Sequence, residues 1–176
     1  MIPNRIPVMI EVQEKAVHRH HHKMRDACPA RVDDILRRFP RTQSASLPLL
    51  YLAWETYGYV SPEAMEEVAE ILGTSPAYIQ GIATFYTMFP LKPQGKYHIE
   101  VCTNISCHLT GAREVLRALE DQLGISCGEC TDDRRFSLRA VECLAGCSWA
   151  PCLHINGKEY TRVTPEKVRE LIDSLE

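Results

Sequence analysis

Residues 97–107 read Tyr97-His-Ile-Glu-Val-Cys-Thr-Asn-Ile-Ser-Cys107. Tyr97 to Val101 alternates with the period of two expected of a half-buried strand, and Cys102 and Cys107 follow it as a C-x4-C pair. The arrangement recurs farther along: Phe136-Ser-Leu-Arg-Ala-Val141 alternates in the same way and runs into Cys143 and Cys147, a C-x3-C pair. Between the two, a helix is predicted from about Thr110, with Ala112, Val115, Leu116, Leu119 and Leu123 on one face and Gly124 at its end. After the second pair, Leu153 to Gly157 and Glu159 to Arg162 predict a hairpin about Asn156-Gly157. Thr164-Pro165 then predicts the cap of a last helix carrying Val168, Leu171, Ile172 and Leu175.

The order is βαβ followed by ββα. With the right-handed crossover that parallel strands require, this is the order of a small thioredoxin-like sandwich. On the N-terminal side, Pro90-Leu-Lys-Pro-Gln-Gly95 is a breaker-rich linker, and ahead of it the period is helical. Val32, Ile35, Leu36 and Phe39 fall at i, i+3, i+4, i+7; so do Leu50, Ala53, Trp54 and Tyr57, then Met65, Val68, Ala69 and Leu72, then Ile79, Ile82, Ala83 and Tyr86. Ser61-Pro62 and Ser75-Pro76 each place a hydroxyl at the N-cap and proline at the first helical position, and Gly73 suits a left-handed helix end. The predicted fold class is α+β: a basic, His-rich extension over residues 1–28, a helical bundle over 29–90, and a thioredoxin-like α/β domain over 91–176.

Charge follows the same division. Residues 1–46 hold nine Lys/Arg against five Asp/Glu, and residues 47–176 hold eleven against eighteen. The His18-Arg-His-His-His22 tract adds to the basic head and is read as a solvated extension, although such tracts can also bind metal. A net charge of −3 gives no support for nucleic-acid binding as the main task. No apolar run approaches the roughly 20 residues of a membrane span, and the start lacks a secretory pattern, so a chain that is neither inserted in a membrane nor secreted is expected.

In that setting, eight cysteines argue for metal or redox chemistry ahead of a disulfide scaffold. Should the two strands neighbour one another in one sheet, both cysteine loops open at the same end and four thiolates converge. Such a set suits a [2Fe–2S] cluster or a structural zinc. The wider pairs favour the two-iron cluster, where each loop must leave room for bridging sulfide, and zinc stays open. Cys127-Gly-Glu-Cys130 resembles a zinc half-site or redox dithiol, but it follows a helix, whereas a thioredoxin dithiol follows a strand. Cys152 opens a strand and is read as a buried thiol packed as a small hydrophobe. Cys28 has no assigned partner, and His108 lacks the second histidine that a Rieske-type site needs.

Three stretches carry a family likeness: Gly81-Ile-Ala-Thr-Phe-Tyr-Thr-Met-Phe89, Gly95 through Cys107, and Val141-Glu-Cys-Leu-Ala-Gly-Cys-Ser-Trp-Ala-Pro151. From about Ala45 onward the chain resembles the NuoE-type small iron–sulfur subunit of respiratory NADH:quinone oxidoreductase (complex I). Relatives of that subunit serve NAD-linked hydrogenases and formate dehydrogenases. Matched position by position, the resemblance implies Cys102, Cys107, Cys143 and Cys147 as ligands of one [2Fe–2S] cluster. It also implies electron exchange with FMN on a flavin- and NADH-binding partner (NuoF-type) within the peripheral arm, on the inner, cytoplasmic face of the membrane. Backbone amides around Ser106 and Gly146 would hydrogen-bond the sulfurs, and Trp149 and Pro151 would shield the cluster, touch the partner or simply pack. The chain has no G-x-G-x-x-G fingerprint, so NADH binding is assigned to the partner. The equivalent subunit of a hydrogenase or formate dehydrogenase is the alternative, and a zinc-stabilised thioredoxin-like binding module the more remote one. One departure stands out: where the family has Thr-x-Asp-Gly-x-Phe, this chain has Thr131-Asp-Asp-Arg-Arg-Phe136.

Overall fold

The computed structural model describes residues 23–175, so the His18 to His22 tract lies outside the described residues. The chain divides between Pro93 and Gln94 into two compact units, a helical one followed by one built on a sheet. The fold class is α+β.

In the helical unit, α2 (Pro29–Arg37), α3 (Ser46–Tyr57), α4 (Pro62–Leu72) and α5 (Pro76–Phe85) carry the apolar stripes read from the sequence; a short α1 (Met24–Ala27), which no stripe marks, precedes them, and a 3-10 turn lies at Thr42–Ala45. Val32, Leu49, Leu50, Val68 and Ile79 are all fully buried in one core. The Oγ of Ser61 accepts from the Ala64 N–H at 3.1 Å and that of Ser75 from the Tyr78 N–H at 3.3 Å, with Pro62 and Pro76 at the helix starts. Gly73 ends α4 at φ 65°, a conformation glycine adopts without a Cβ penalty.

The part of the predicted extension that is described, residues 23–28, belongs to this core. Met24 is fully buried and Cys28 packs against the same cluster. Two carboxylates of α4 hold α1: Glu67, itself buried, accepts from the Arg25 backbone N–H at 3.1 Å and from the Tyr57 hydroxyl at 2.6 Å, and Glu70 pairs with Lys23 at the start of α1 at 2.8 Å. Burial, together with that carboxylate, pushes the Tyr57 hydroxyl far above its ordinary value.

The second unit contains β1 (Tyr97–Cys102), α6 (Ile105–Leu109), α7 (Ala112–Leu123), β2 (Phe136–Val141), β3 (Cys152–Ile155), β4 (Lys158–Thr161) and α8 (Pro165–Asp173). The sheet order is β2-β1-β3-β4. Strands β1 and β2 are parallel, with Tyr97 opposite Phe136 and Cys102 opposite Val141; β3 runs antiparallel to β1, and β4 antiparallel to β3. Ile99, Val101, Leu138, Leu153 and Ile155 form a core with Val115 and Leu119 of α7 and Val168 and Ile172 of α8. At the entrance to β1, Gly95 lies so close to β2 that a Cβ would stand 2.5 Å from the Phe136 carbonyl carbon. The hairpin turns at Asn156 and Gly157, both with positive φ, as a two-residue turn of the predicted kind requires.

Two local readings change. The segment read as a loop between Cys102 and Cys107 contains α6, started by Asn104, whose Oδ1 accepts from the Ile105 N–H at 2.8 Å. Five residues are too few for a helical period to show in the sequence. Thr164 precedes α8 but makes no side-chain cap; its hydroxyl is engaged by Glu166 instead. Among the described residues, no helix is long and apolar enough to cross a membrane.

Candidate metal centre

Because β1 and β2 are parallel neighbours in register, the segments that leave Cys102 and Val141 open at the same end of the sheet. Cys102 is the last residue of β1 and Cys107 lies in α6, and each is only 1% exposed. The thiol that joins them is Cys152, the first residue of β3, also 1% exposed. The three sulfurs lie within 4.8 Å of one another. They have an apolar setting of their own, formed with Ala112, Leu144 and Ala150.

Of the four thiols expected as ligands, the structure therefore brings Cys102 and Cys107 together. Cys143 and Cys147 are exposed, on the loop that follows β2. That loop nevertheless reaches the buried group: Leu144 packs against it and the Leu144 backbone N–H favours the Cys102 thiolate. Gly146 explains how the loop can come so close, since a Cβ there would stand 2.9 Å from the Cys152 Sγ and 2.8 Å from a Glu159 carboxylate oxygen. Cys127 and Cys130 lie outside the group, in the segment after α7. The Cys127 Sγ accepts from the Ala140 N–H at 3.1 Å, and Cys130 bridges to Ser137.

The electrostatics of the three thiols differ. Burial would raise Cys102, but the Asn104 N–H, the Cys107 thiol and the Leu144 N–H all favour its thiolate and hold it below the ordinary value. Burial raises Cys107, opposed in part by the Cys152 backbone N–H. Cys152, buried and facing two sulfurs, is pushed up to about 12. Amides of Asn104, Leu144 and Cys152 thus favour negative charge on the buried sulfurs, and on the following loop the Ala145 N–H donates to the Cys143 Sγ at 3.3 Å.

Beside the cysteines, a charged ladder crosses β1 and β2. Arg139 grips Glu100, its partner in the register, through both Nε and a terminal nitrogen. Burial would raise Glu100, yet His98, whose Nε2 is 3.7 Å from Oε1, and Arg139 bring it down to about 2.

Soft sulfur donors, inward-pointing amides and an apolar lining are what an iron–sulfur cluster requires. The donor set present fits one, with two buried thiols in place and two more on a loop already held at the site. The contact of Cys152 with Cys107 escaped the sequence reading. Its signal was the antiparallel pairing: Val101 faces Leu153, so the next residues toward this end of the sheet are Cys102 and Cys152.

Comparison with known proteins agrees with this geometry. An NADH-quinone oxidoreductase subunit of Rickettsia bellii is 42% identical over 146 residues, covering 81% of this chain and 87% of that protein. Subunit 2 of the Thermus thermophilus NADH-quinone oxidoreductase is 40% identical over 134 residues, covering 76% and 74%. Among solved structures, an NAD+-reducing [NiFe]-hydrogenase superposes with a TM-score of 0.63 at 24% identity, over 72% of this chain and 22% of that one. The thioredoxin-like [2Fe-2S] ferredoxin family matches residues 32–176, across both cysteine loops and the strands that carry them. The chain belongs to the thioredoxin-like [2Fe-2S] ferredoxin family.

Proposed function

We propose that this chain is the electron-transfer subunit of an NADH-quinone oxidoreductase and that Cys102, Cys107, Cys143 and Cys147 hold its [2Fe–2S] cluster. The observation that carries the reading is the parallel register of β1 and β2, which opens two cysteine-bearing segments at one end of one sheet above a buried thiol pocket. When bound, such a cluster takes up and returns a single electron. The chain's own residues set the conditions for that exchange. Cys102 and Cys107 are shielded from water, and the N–H groups of Asn104, Leu144 and Cys152 point at their sulfurs and favour the more negative state. Cys143 and Cys147 supply the remaining thiolates from the exposed loop.

Large apolar side chains stand exposed on the same segments: Ile105 at 67% and Leu109 at 76% on α6, and Trp149 at 52% two residues beyond Cys147. They suit the docking of a flavin- and NADH-binding subunit, which would bring its FMN to the cluster end and place the chain in the peripheral arm at the inner face of the membrane. The relatives at 40% and 42% identity favour a quinone oxidoreductase over a hydrogenase, with which this chain shares a fold at 24% identity.

Anaerobic purification is expected to give a brown chain with iron and inorganic sulfide in equal amounts, and a paramagnetic resonance signal on reduction. Cys143→Ser is expected to lose most of the iron, while Cys127→Ser keeps both iron and spectrum. A colourless chain holding zinc would overturn the reading.

A further inference from the structure

Cys152 stands outside the proposed ligand set, yet its Sγ is 3.6 Å from the Sγ of Cys107. Several independent features fix that contact. Cys152 opens β3 and is held by its pairing with Thr161 of β4. Its backbone N–H also favours the thiolate of Cys107. Gly146 closes over it, with space for no further carbon, and Ala112, Leu144 and Ala150 supply an apolar surround. A thiol so enclosed has a single weak hydrogen-bond donor to offer, and the sulfur of Cys107 meets it with hydrogen-bonding geometry.

Resting on the ligand assignment above, we propose that Cys152 is a positioning residue of the electron-transfer site: its S–H donates a hydrogen bond to the Cys107 sulfur and favours reduction, without being a ligand. The direction follows from charge. A donor aimed at a ligand sulfur stabilises the state with more negative charge on that sulfur, which is the reduced one. Reduction balances as one electron gained by the site, with the shared proton remaining on Cys152.

The test uses the full chain, purified anaerobically with its iron, alongside Cys152→Ala and Cys152→Ser. Iron content, redox titration and resonance Raman spectra in light and heavy water are compared. Both variants are expected to keep the wild-type iron content. In Cys152→Ala the reduction equilibrium shifts about fivefold toward the oxidised form, the scale of one modest hydrogen bond. The part of the heavy-water shift of the iron–thiolate stretching bands that the S–H supplies is lost. Cys152→Ser, which retains a donor, is expected to move both readouts back toward wild type. Loss of iron in both variants would make Cys152 a ligand and overturn the inference. An unchanged potential and heavy-water shift in Cys152→Ala would leave the thiol as packing and overturn it equally. Either result leaves the electron-transfer reading standing, whereas a wild-type chain carrying zinc and no iron removes both.

Discussion

Arg134 sits at φ 56°, in the place where the related pattern carries glycine. The turn is closed around it by its neighbours. The Thr131 hydroxyl donates to Asp133 at 2.5 Å, the Arg135 N–H donates to the same oxygen at 2.9 Å, and the Thr131 N–H reaches the Phe136 carbonyl at 2.9 Å. Those hydrogen bonds, with Asp133 held below the ordinary carboxylate range chiefly by Thr131, hold a side-chain-bearing residue in a left-handed conformation that costs it about 1–2 kcal/mol. Arg134→Gly should therefore raise stability by about 0.5–1 kcal/mol, read as a higher urea midpoint at an unchanged slope; the net gain is below the full cost because glycine also loses more chain entropy on folding. The sequence marks where the glycine is missing, but not that Asp133 substitutes for it, since that depends on three hydrogen bonds made only once the turn is closed.

At the scale of elements, the helix starts illustrate what a sequence discloses. Ser61 and Ser75 cap α4 and α5 because a hydroxyl ahead of Pro at N1 is a local arrangement, complete within four residues. Ser61→Ala is expected to cost about 1 kcal/mol in thermal or urea unfolding, since it leaves the buried Ala64 N–H without its partner. Thr164-Pro165 has the same pattern and makes no side-chain cap, its hydroxyl favouring the Glu166 carboxylate. Between strands the decisive pair is Glu100 with Arg139. Glu100 has its folded value depressed to about 2 from an ordinary 4.5. Its stabilisation is thus fully present above about pH 4.5 and is lost as pH falls toward about 2. Glu100→Gln should cost about 2 kcal/mol near neutrality, as expected for a lost charge-assisted pair, and the difference in urea midpoint from wild type should shrink on acidification through that window. Only the parallel register makes these two residues partners, so a separation of 39 positions hid them in the sequence.

Across the whole molecule, the change of period at Pro90 to Gly95 disclosed the division into a helical and a sheet unit, because breaker residues and periodicity are properties of contiguous sequence. That both cysteine-bearing segments leave one end of the sheet was also legible, through their equivalent places after two strands. What was not legible was the company each thiol keeps. Cys152 joins Cys102 and Cys107 through tertiary packing, and Met24 is buried in the helical core beside Arg25, whose backbone N–H Glu67 holds. The site ties β1, α6 and β3 together with little beyond small side chains, Ala112 and Ala150 among them. Removal of the iron is accordingly expected to speed amide hydrogen exchange in those three elements, measured by mass spectrometry on the stripped and loaded chains. Gly146 extends the point to descent. Its φ of −88° is open to any residue, so space alone selects glycine there. The Glu159 carboxylate can swing aside, but Cys152 is fixed in a strand. Across diverging lineages, positions 146 and 152 should drift as a linked pair: a lineage that enlarges one must shrink the other, and double substitutions should persist where either alone is purged.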